Sequence, residues 1–155
     1  MFWRIKMTLK AKLEIELFIA MRAKDEIRKR TIRMAISNIK LAEIERKGIL
    51  DDPAIIASLY KEIKIRKETI EEARKGNRGS IISENEAEIA ILQEFLPKTL
   101  NAEELTILAK RTIQEQNATS LKDMGNVMKL MVERVNGQAP NDEISKVIKD
   151  LLQNQ

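Results

Sequence analysis

The chain of 155 residues contains no cysteine and no histidine. Without histidine, no Ser-His or Cys-His nucleophile system can form from this chain alone. Zinc and other borderline-soft metals lose their usual ligands, and without cysteine there is neither a disulfide framework nor thiol redox chemistry. Any catalysis would rest on Asp, Glu, Lys, Arg, Ser, Thr or Tyr. We predict no catalytic residues, no metal site and no cofactor.

Turn residues and aromatics are also scarce, with five Gly, three Pro and 3% aromatic residues. This composition favours an all-α fold, because sandwiches and barrels need turn residues at short intervals. No apolar run approaches the roughly 18 residues that a membrane span needs. The charged residues 1–6 are too few for a signal peptide, and residues 1–7 are predicted to be an extension that does not pack. The expected location is the cytoplasm, with no membrane partner.

Apolar periodicity and end signals predict seven helices. The first two cover about 8–22 and 25–47, with Gly48 supplying a left-handed ending. The third begins at an Asp cap followed by Pro53, and the fifth begins at Asn101 with Glu104 three residues later. The remaining three helices start near residues 80, 120 and 141.

Proline 97 divides the predicted helices into two groups, because proline disfavours helical geometry in the residue before it. We predict an N-terminal helical bundle over 1–96 and a three-helix C-terminal domain over 97–155. A core in a domain below about 70 residues supplies only a few kcal/mol. The C-terminal domain is therefore expected to be the less stable one.

The basic excess belongs to the first 50 residues, which hold 13 Lys/Arg against six Asp/Glu, a net charge of +7. On the second helix Lys29, Arg30, Arg33 and Lys40 are candidate nucleic-acid ligands. Lys29, Arg33 and Lys40 fall within roughly 40° of one another around the axis, so they could track a phosphate backbone. The alternative is that these side chains extend from the edge of the core and pair with carboxylates such as Glu43.

A second candidate site comprises Lys122, Gly125 and Lys129 at the start of the sixth helix. Glycine in a first helical turn costs about 1 kcal/mol against alanine, so a ligand or another backbone could approach closely there. The alternative is tight packing between helices. The neighbouring methionines, Met124, Met128 and Met131, are expected in the core, or on a protein-binding surface if they prove exposed.

A third group of residues is the acidic run that precedes Pro97. Its members are Glu84, Glu86, Glu88 and Glu94. They are spread around the helix, so we expect them to be hydrated and not to hold magnesium.

Several segments together resemble the GatB/YqeY family. Its motifs are matched in order and with the expected spacing over about residues 8–153. The matching segments are 30–40, 43–45, 63–68, 84–88, 91–97, 122–128 and the turn at Gly137. The resemblance implies an all-α fold with an N-terminal bundle and a small C-terminal lobe.

The resemblance also implies a link to tRNA. A similar unit forms the tail of the B subunit of the tRNA-dependent amidotransferase and engages tRNA, and similar domains are appended to some glutaminyl-tRNA synthetases. The family label is carbon–nitrogen ligase activity with glutamine as amide donor. This chain shows no cradle for ATP, so we interpret that label as inherited from the fused relative.

Three hypotheses follow for the function. The first is a tRNA-binding accessory protein that works by phosphate contacts and shape. The second is a module that docks on a tRNA-metabolism enzyme, and the third is an enzyme of glutamine-dependent amide transfer. One turn departs from the family, because Gln138 and Pro140 stand where Arg and Asp are usual, which removes a cation there.

Overall fold

The computed structural model describes residues 6–155, and every regular element in that range is helical. The all-α prediction is therefore confirmed. The helices are α1 (Leu9–Arg22), α2 (Glu26–Arg46), α3 (Asp52–Lys75), α4 (Gly79–Gln93), α5 (Ala102–Glu115), α6 (Met124–Val135) and α7 (Asn141–Gln153), with a short 3₁₀ helix (Leu121–Asp123) before α6.

The helix starts follow the polar caps of the sequence. The side chains of Asp25 and Asp51 accept hydrogen bonds from the third backbone N–H beyond each. Asn101 and Glu104 form a reciprocal capping box at the start of α5. Each cap satisfies backbone donors that have no partner inside the helix.

The end of α2 differs from the prediction. Lys47, and not Gly48, adopts the left-handed conformation, with φ of 54°. The Gly48 N–H donates to the Glu43 carbonyl at 3.1 Å, which closes a Schellman-type ending one residue earlier than expected. The left-handed residue is the one directly after the helix, and in this chain that residue is a lysine.

The chain forms two compact units, one ending at Leu96 and the other beginning at Pro97. In the N-terminal unit α1 packs against α2, and α4 packs against both α2 and α3. Its core is aliphatic, with Leu13, Ile32, Ile39, Ile55 and Leu92 fully buried. Lys6 and Met7 are exposed and outside any helix. The rest of the predicted extension lies outside the described residues.

The C-terminal unit packs α7 against both α5 and α6. Val127, Met131 and Ile148 are completely buried there. The Leu100 N–H donates to the Gln138 carbonyl at 2.8 Å, which ties the entry of the unit to the turn between α6 and α7. In that turn Gly137 has φ of 81°, a conformation that favours glycine.

Candidate nucleic-acid interface

Two arginines of α2 point towards carboxylates on other helices. Arg30 pairs with Glu84 and Glu88 of α4. Arg28 bridges Glu16 of α1 and Glu94 at distances of 2.9 and 2.6 Å. The hydrogen bonds to Glu88 and Glu94 are the main reason that the pKa values of Arg30 and Arg28 rise above the ordinary arginine value.

These pairs correct the expectation for the acidic run on α4. Glu84, Glu88 and Glu94 are not simply hydrated, because each accepts hydrogen bonds from an arginine of α2. Glu86 is exposed, as expected of a hydrated carboxylate. No group of acidic side chains able to hold a metal lies within residues 6–155.

The pairing continues into a charged network between α2, α3 and α4. Arg66 donates to Glu88 at 2.7 Å and to Glu62 at 3.0 Å. Glu62 is a buried carboxylate and also accepts a hydrogen bond from Asn38. Every buried side-chain polar atom in the described chain has a hydrogen-bond partner, as a stable interior requires.

The remaining α2 cations divide into two kinds. Lys29 pairs with Glu26 within the first turn of the helix at 2.7 Å. Arg33 and Lys40 are exposed, and no carboxylate within residues 6–155 forms an ion pair with either. The Arg33 guanidinium lies 3.9 Å from the Met21 sulfur. Phosphate binding by these four residues stays a prediction, and Arg33 and Lys40 are the two whose charge is available.

Glu43 forms its ion pair with a residue of α1 and not with Lys29, Arg33 or Lys40 of α2. Lys10 of α1 donates to both of its carboxylate oxygens, at 2.9 and 2.7 Å. This hydrogen bond is the main cause of a lowered Glu43 pKa, and the Leu50 backbone N–H and the nearby charge of Lys40 act in the same direction. Glu43 therefore links α1 to α2 through its ion pair with Lys10. The charge of Lys40 also lowers the Glu43 pKa, although these two side chains form no ion pair.

Lys122 lies in the 3₁₀ helix before α6, Gly125 in the first turn of α6 and Lys129 one turn further along, and all three are exposed. A Cβ added to Gly125 would meet no atom within 4 Å. Tight helix packing, the alternative explanation for this glycine, is therefore wrong. Anion binding at this position stays a prediction.

The methionines of α6 belong to the core. Met131 is fully buried, and Met124 and Met128 pack against the same cluster. These methionines were expected to form a protein-binding surface only if they were exposed, and they are not. They therefore offer no docking surface.

Helix α1 carries an exposed apolar stripe that was not predicted from the sequence. Ile15, Phe18 and Ile19 are 46%, 60% and 49% exposed. They point away from the buried Leu13, since residues two apart differ by roughly 160° around a helix. The available signal was that α1 has large apolar side chains on all sides, which is not typical of a surface helix.

These features define an all-helical protein whose basic excess lies on its first two helices. The chain belongs to the family described as Yqey-like protein, which matches residues 10–152. None of the described helices is long and apolar enough to cross a membrane.

Several relatives carry the name Altered inheritance of mitochondria protein 41, mitochondrial. The one from Lachancea thermotolerans is 42% identical, over 64% of this chain and 54% of its own length. The one from Pyrenophora tritici-repentis is 28% identical, over 91% and 79%. The one from Saccharomyces cerevisiae is 32% identical, over 67% and 53%.

The chain thus spans about half the length of two of these proteins. All three names place their proteins in mitochondria. The cytoplasmic location of this chain stays a prediction.

Proposed function

We propose that this chain is a tRNA-binding accessory protein that contacts the phosphate backbone and shape of its ligand without reading bases. The resemblance to the amidotransferase tail supports a place beside tRNA-dependent amide transfer or tRNA charging. The chain supplies no histidine or cysteine for glutaminase chemistry. In this proposal, catalysis belongs to a partner enzyme.

The observation that carries this proposal is the unequal pairing of the α2 cations. Arg28, Lys29 and Arg30 are matched by carboxylates, whereas Arg33 and Lys40 are exposed without one. Arg33 and Lys40 are seven residues apart, hence about 20° apart around the helix and about 10 Å apart along it. One strand of a phosphate backbone can lie along both, and each contact releases a condensed counterion.

The C-terminal unit offers two further exposed lysines, Lys122 in the 3₁₀ helix and Lys129 in α6, with the exposed Gly125 between them in the sequence. Backbone N–H groups at a helix start attract anions, and the surface around Gly125 is open, because a Cβ added there would meet no atom within 4 Å. Exposed aromatic side chains for base stacking are few, since the chain has five aromatic residues in total. This composition favours backbone contacts over single-strand base reading.

The test is a titration of fluorescently labelled tRNA with the full chain at several salt concentrations. Each phosphate contact that is removed should lower the salt slope by about one, so Arg33→Ala with Lys40→Ala should lower it by about two. The matched control replaces Lys61 and Lys67 of α3, which are exposed and form no ion pair within the described chain. This control should leave the slope unchanged.

Arg30→Ala separates the two interpretations of the basic set. Because Arg30 is held by Glu84 and Glu88, its removal should change tRNA affinity much less than removal of Arg33. Affinity that is absent at low salt, or equal slopes for all variants, would exclude the proposal.

A further inference from the structure

The exposed stripe of α1 is apolar at its centre and cationic at both ends. Ile15, Phe18 and Ile19 form the centre. Lys12 and Arg22 form the ends, about 15 Å apart along the axis. We call these five residues the α1 stripe.

Neither cation of the α1 stripe has a carboxylate partner within residues 6–155. Aromatic rings hold both in place instead. The Arg22 guanidinium lies 5.7 Å from the centre of the Phe18 ring, and the Lys12 ammonium lies 5.7 Å from that of Phe95. Such contacts attract a cation to the face of an aromatic ring, which limits the freedom of both charges before any partner binds.

The geometry points to a docking surface for an amphipathic helix of another protein, one that carries apolar residues between two carboxylates about ten residues apart. An apolar stripe with i, i+3, i+4 spacing packs against a second helix in this way. The two carboxylates would meet Lys12 and Arg22. This inference is independent of tRNA binding, which uses α2.

Charge argues against a second copy of this chain as the occupant. An antiparallel pair of α1 helices centred on the stripe would place Lys12 of one copy opposite Arg22 of the other. A parallel pair would place each cation opposite itself. Like charges in direct opposition destabilise either arrangement.

Charge also disfavours a bilayer surface. Glu14 and Glu16 lie about 100° to either side of Ile15 around the helix, so that carboxylates border the apolar centre. Anionic headgroups would meet the exposed Glu14 carboxylate as well as the cations, whereas Glu16 is already paired with Arg28. A partner helix with two separate carboxylates can contact the cations without that repulsion. RNA is a poorer match, because its phosphate groups make no favourable contact with three apolar side chains.

The test uses a stapled 18-residue helical peptide with a leucine stripe and two Glu ten residues apart. Two further versions carry Gln or Lys at both positions. The full chain is titrated against each labelled peptide. The expected order of affinity is Glu, then Gln, then Lys, with about a tenfold span from first to last, because each exposed charge pair contributes up to about 1 kcal/mol.

Two variants establish where the peptide binds. Phe18→Ser should abolish binding of the Glu peptide, whereas Ile65→Ser, at a similarly exposed residue of α3, should leave it unchanged. Lys12→Glu with Arg22→Glu should reverse the order of the peptides. Far-UV circular dichroism of each variant is the control for folding and should match that of the parent chain.

Equal affinities for the three peptides, or full binding to Phe18→Ser, would overturn the inference. Sedimentation measurements provide the other outcomes. A dimer that Phe18→Ser dissolves would assign the stripe to a second copy. Binding to phosphatidylserine vesicles that is lost in the same variant would assign it to a membrane, and either result excludes the helical partner.

Discussion

The two units differ in their cross-helix ion pairs and in the number of large hydrophobic side chains that they expose. In the N-terminal unit, cross-helix ion pairs join α1, α2, α3 and α4. In the C-terminal unit, an ion pair joins Arg134 of α6 to Glu115 of α5. Eleven of the fourteen exposed large hydrophobic side chains in the described chain belong to the N-terminal unit.

Because of this difference, we expect partner binding at the N-terminal unit. The helices of the C-terminal unit bury one apolar face and expose a polar one, as isolated small domains do. The N-terminal unit satisfies many of its charges internally and leaves both apolar groups and a few cations facing outwards. Large exposed apolar patches on a protein surface commonly mark interaction sites.

The largest expected effect tests the smaller core. Ile148 is completely buried in α7, and its replacement by Ala should cost about 2–5 kcal/mol. A core of this size rarely supplies more than about 3–5 kcal/mol. We expect hydrogen exchange with mass spectrometry to show α5, α6 and α7 losing protection while α1 to α4 retain theirs.

The matched control is Ile39→Ala in the core of the N-terminal unit, where Ile39 is equally buried. It should lower protection of α1 to α4 and leave that unit folded. Simultaneous loss of protection throughout the chain in the Ile148 variant would show that the units do not unfold separately.

The second test breaks the charged network of the N-terminal unit. Arg66→Met leaves the largely buried carboxylates Glu62 and Glu88 without their shared cation. Removing one partner of a buried ion pair costs about 3 kcal/mol or more. Urea unfolding followed by circular dichroism should show this loss.

Arg74→Met is the control for that test, since the Arg74–Glu71 pair is exposed on the same helix. Exposed pairs contribute between about 0 and 1 kcal/mol. Similar losses in the two variants would mean that the network is no more important than a surface ion pair.

A third test, with a smaller expected effect, removes a helix N-cap from each unit. Asn101→Ala removes the capping box of α5, and Asp51→Ala removes the cap of α3. Each should cost about 1 kcal/mol. The loss at Asn101 should raise hydrogen exchange of the C-terminal unit more visibly, because we expect that unit to be the less stable one. Equal sensitivity of the two units would contradict the ranking.

Local signals predicted the helices well because they act within a few residues. Asp25, Asp51 and Asn101 cap the helices that the sequence assigned to them. Periodicity is less exact on α1, where a spacing of four residues puts Met21 in line with Leu9 and Leu13, yet Met21 is 48% exposed. A spacing of four residues drifts by about 40° at each step, so Met21 has left the core side and Ala20 occupies it.

The site was harder to predict because its decisive contacts are distant in sequence. Arg30 meets Glu84 and Glu88, which are 54 and 58 residues away. Periodicity places Arg30 on a face of α2 but cannot show which helix packs beside that face. The available charge of Arg33 and Lys40 therefore emerges only from the structure.

The smallest expected effect concerns pH and the link between α1 and α2. Hydrogen bonds from Lys10 lower the pKa of Glu43 below its ordinary value of 4.5. A carboxylate with a lowered pKa in the folded state stabilises it above that ordinary value, and the stabilisation is lost as pH falls through the folded pKa. The contribution of Glu43 should therefore be present at neutral pH and disappear in acid.

Glu43→Gln removes this contribution and makes it measurable. At about pH 7 the urea midpoint of the variant should lie below that of the parent chain, and the gap should close towards about pH 3. Glu45→Gln, an exposed neighbour on α2, serves as the control and should show little difference at either pH. A gap of constant size across this range would mean that Glu43 acts through the shape of its side chain, and that the Lys10 ion pair contributes nothing to the packing of α1 on α2.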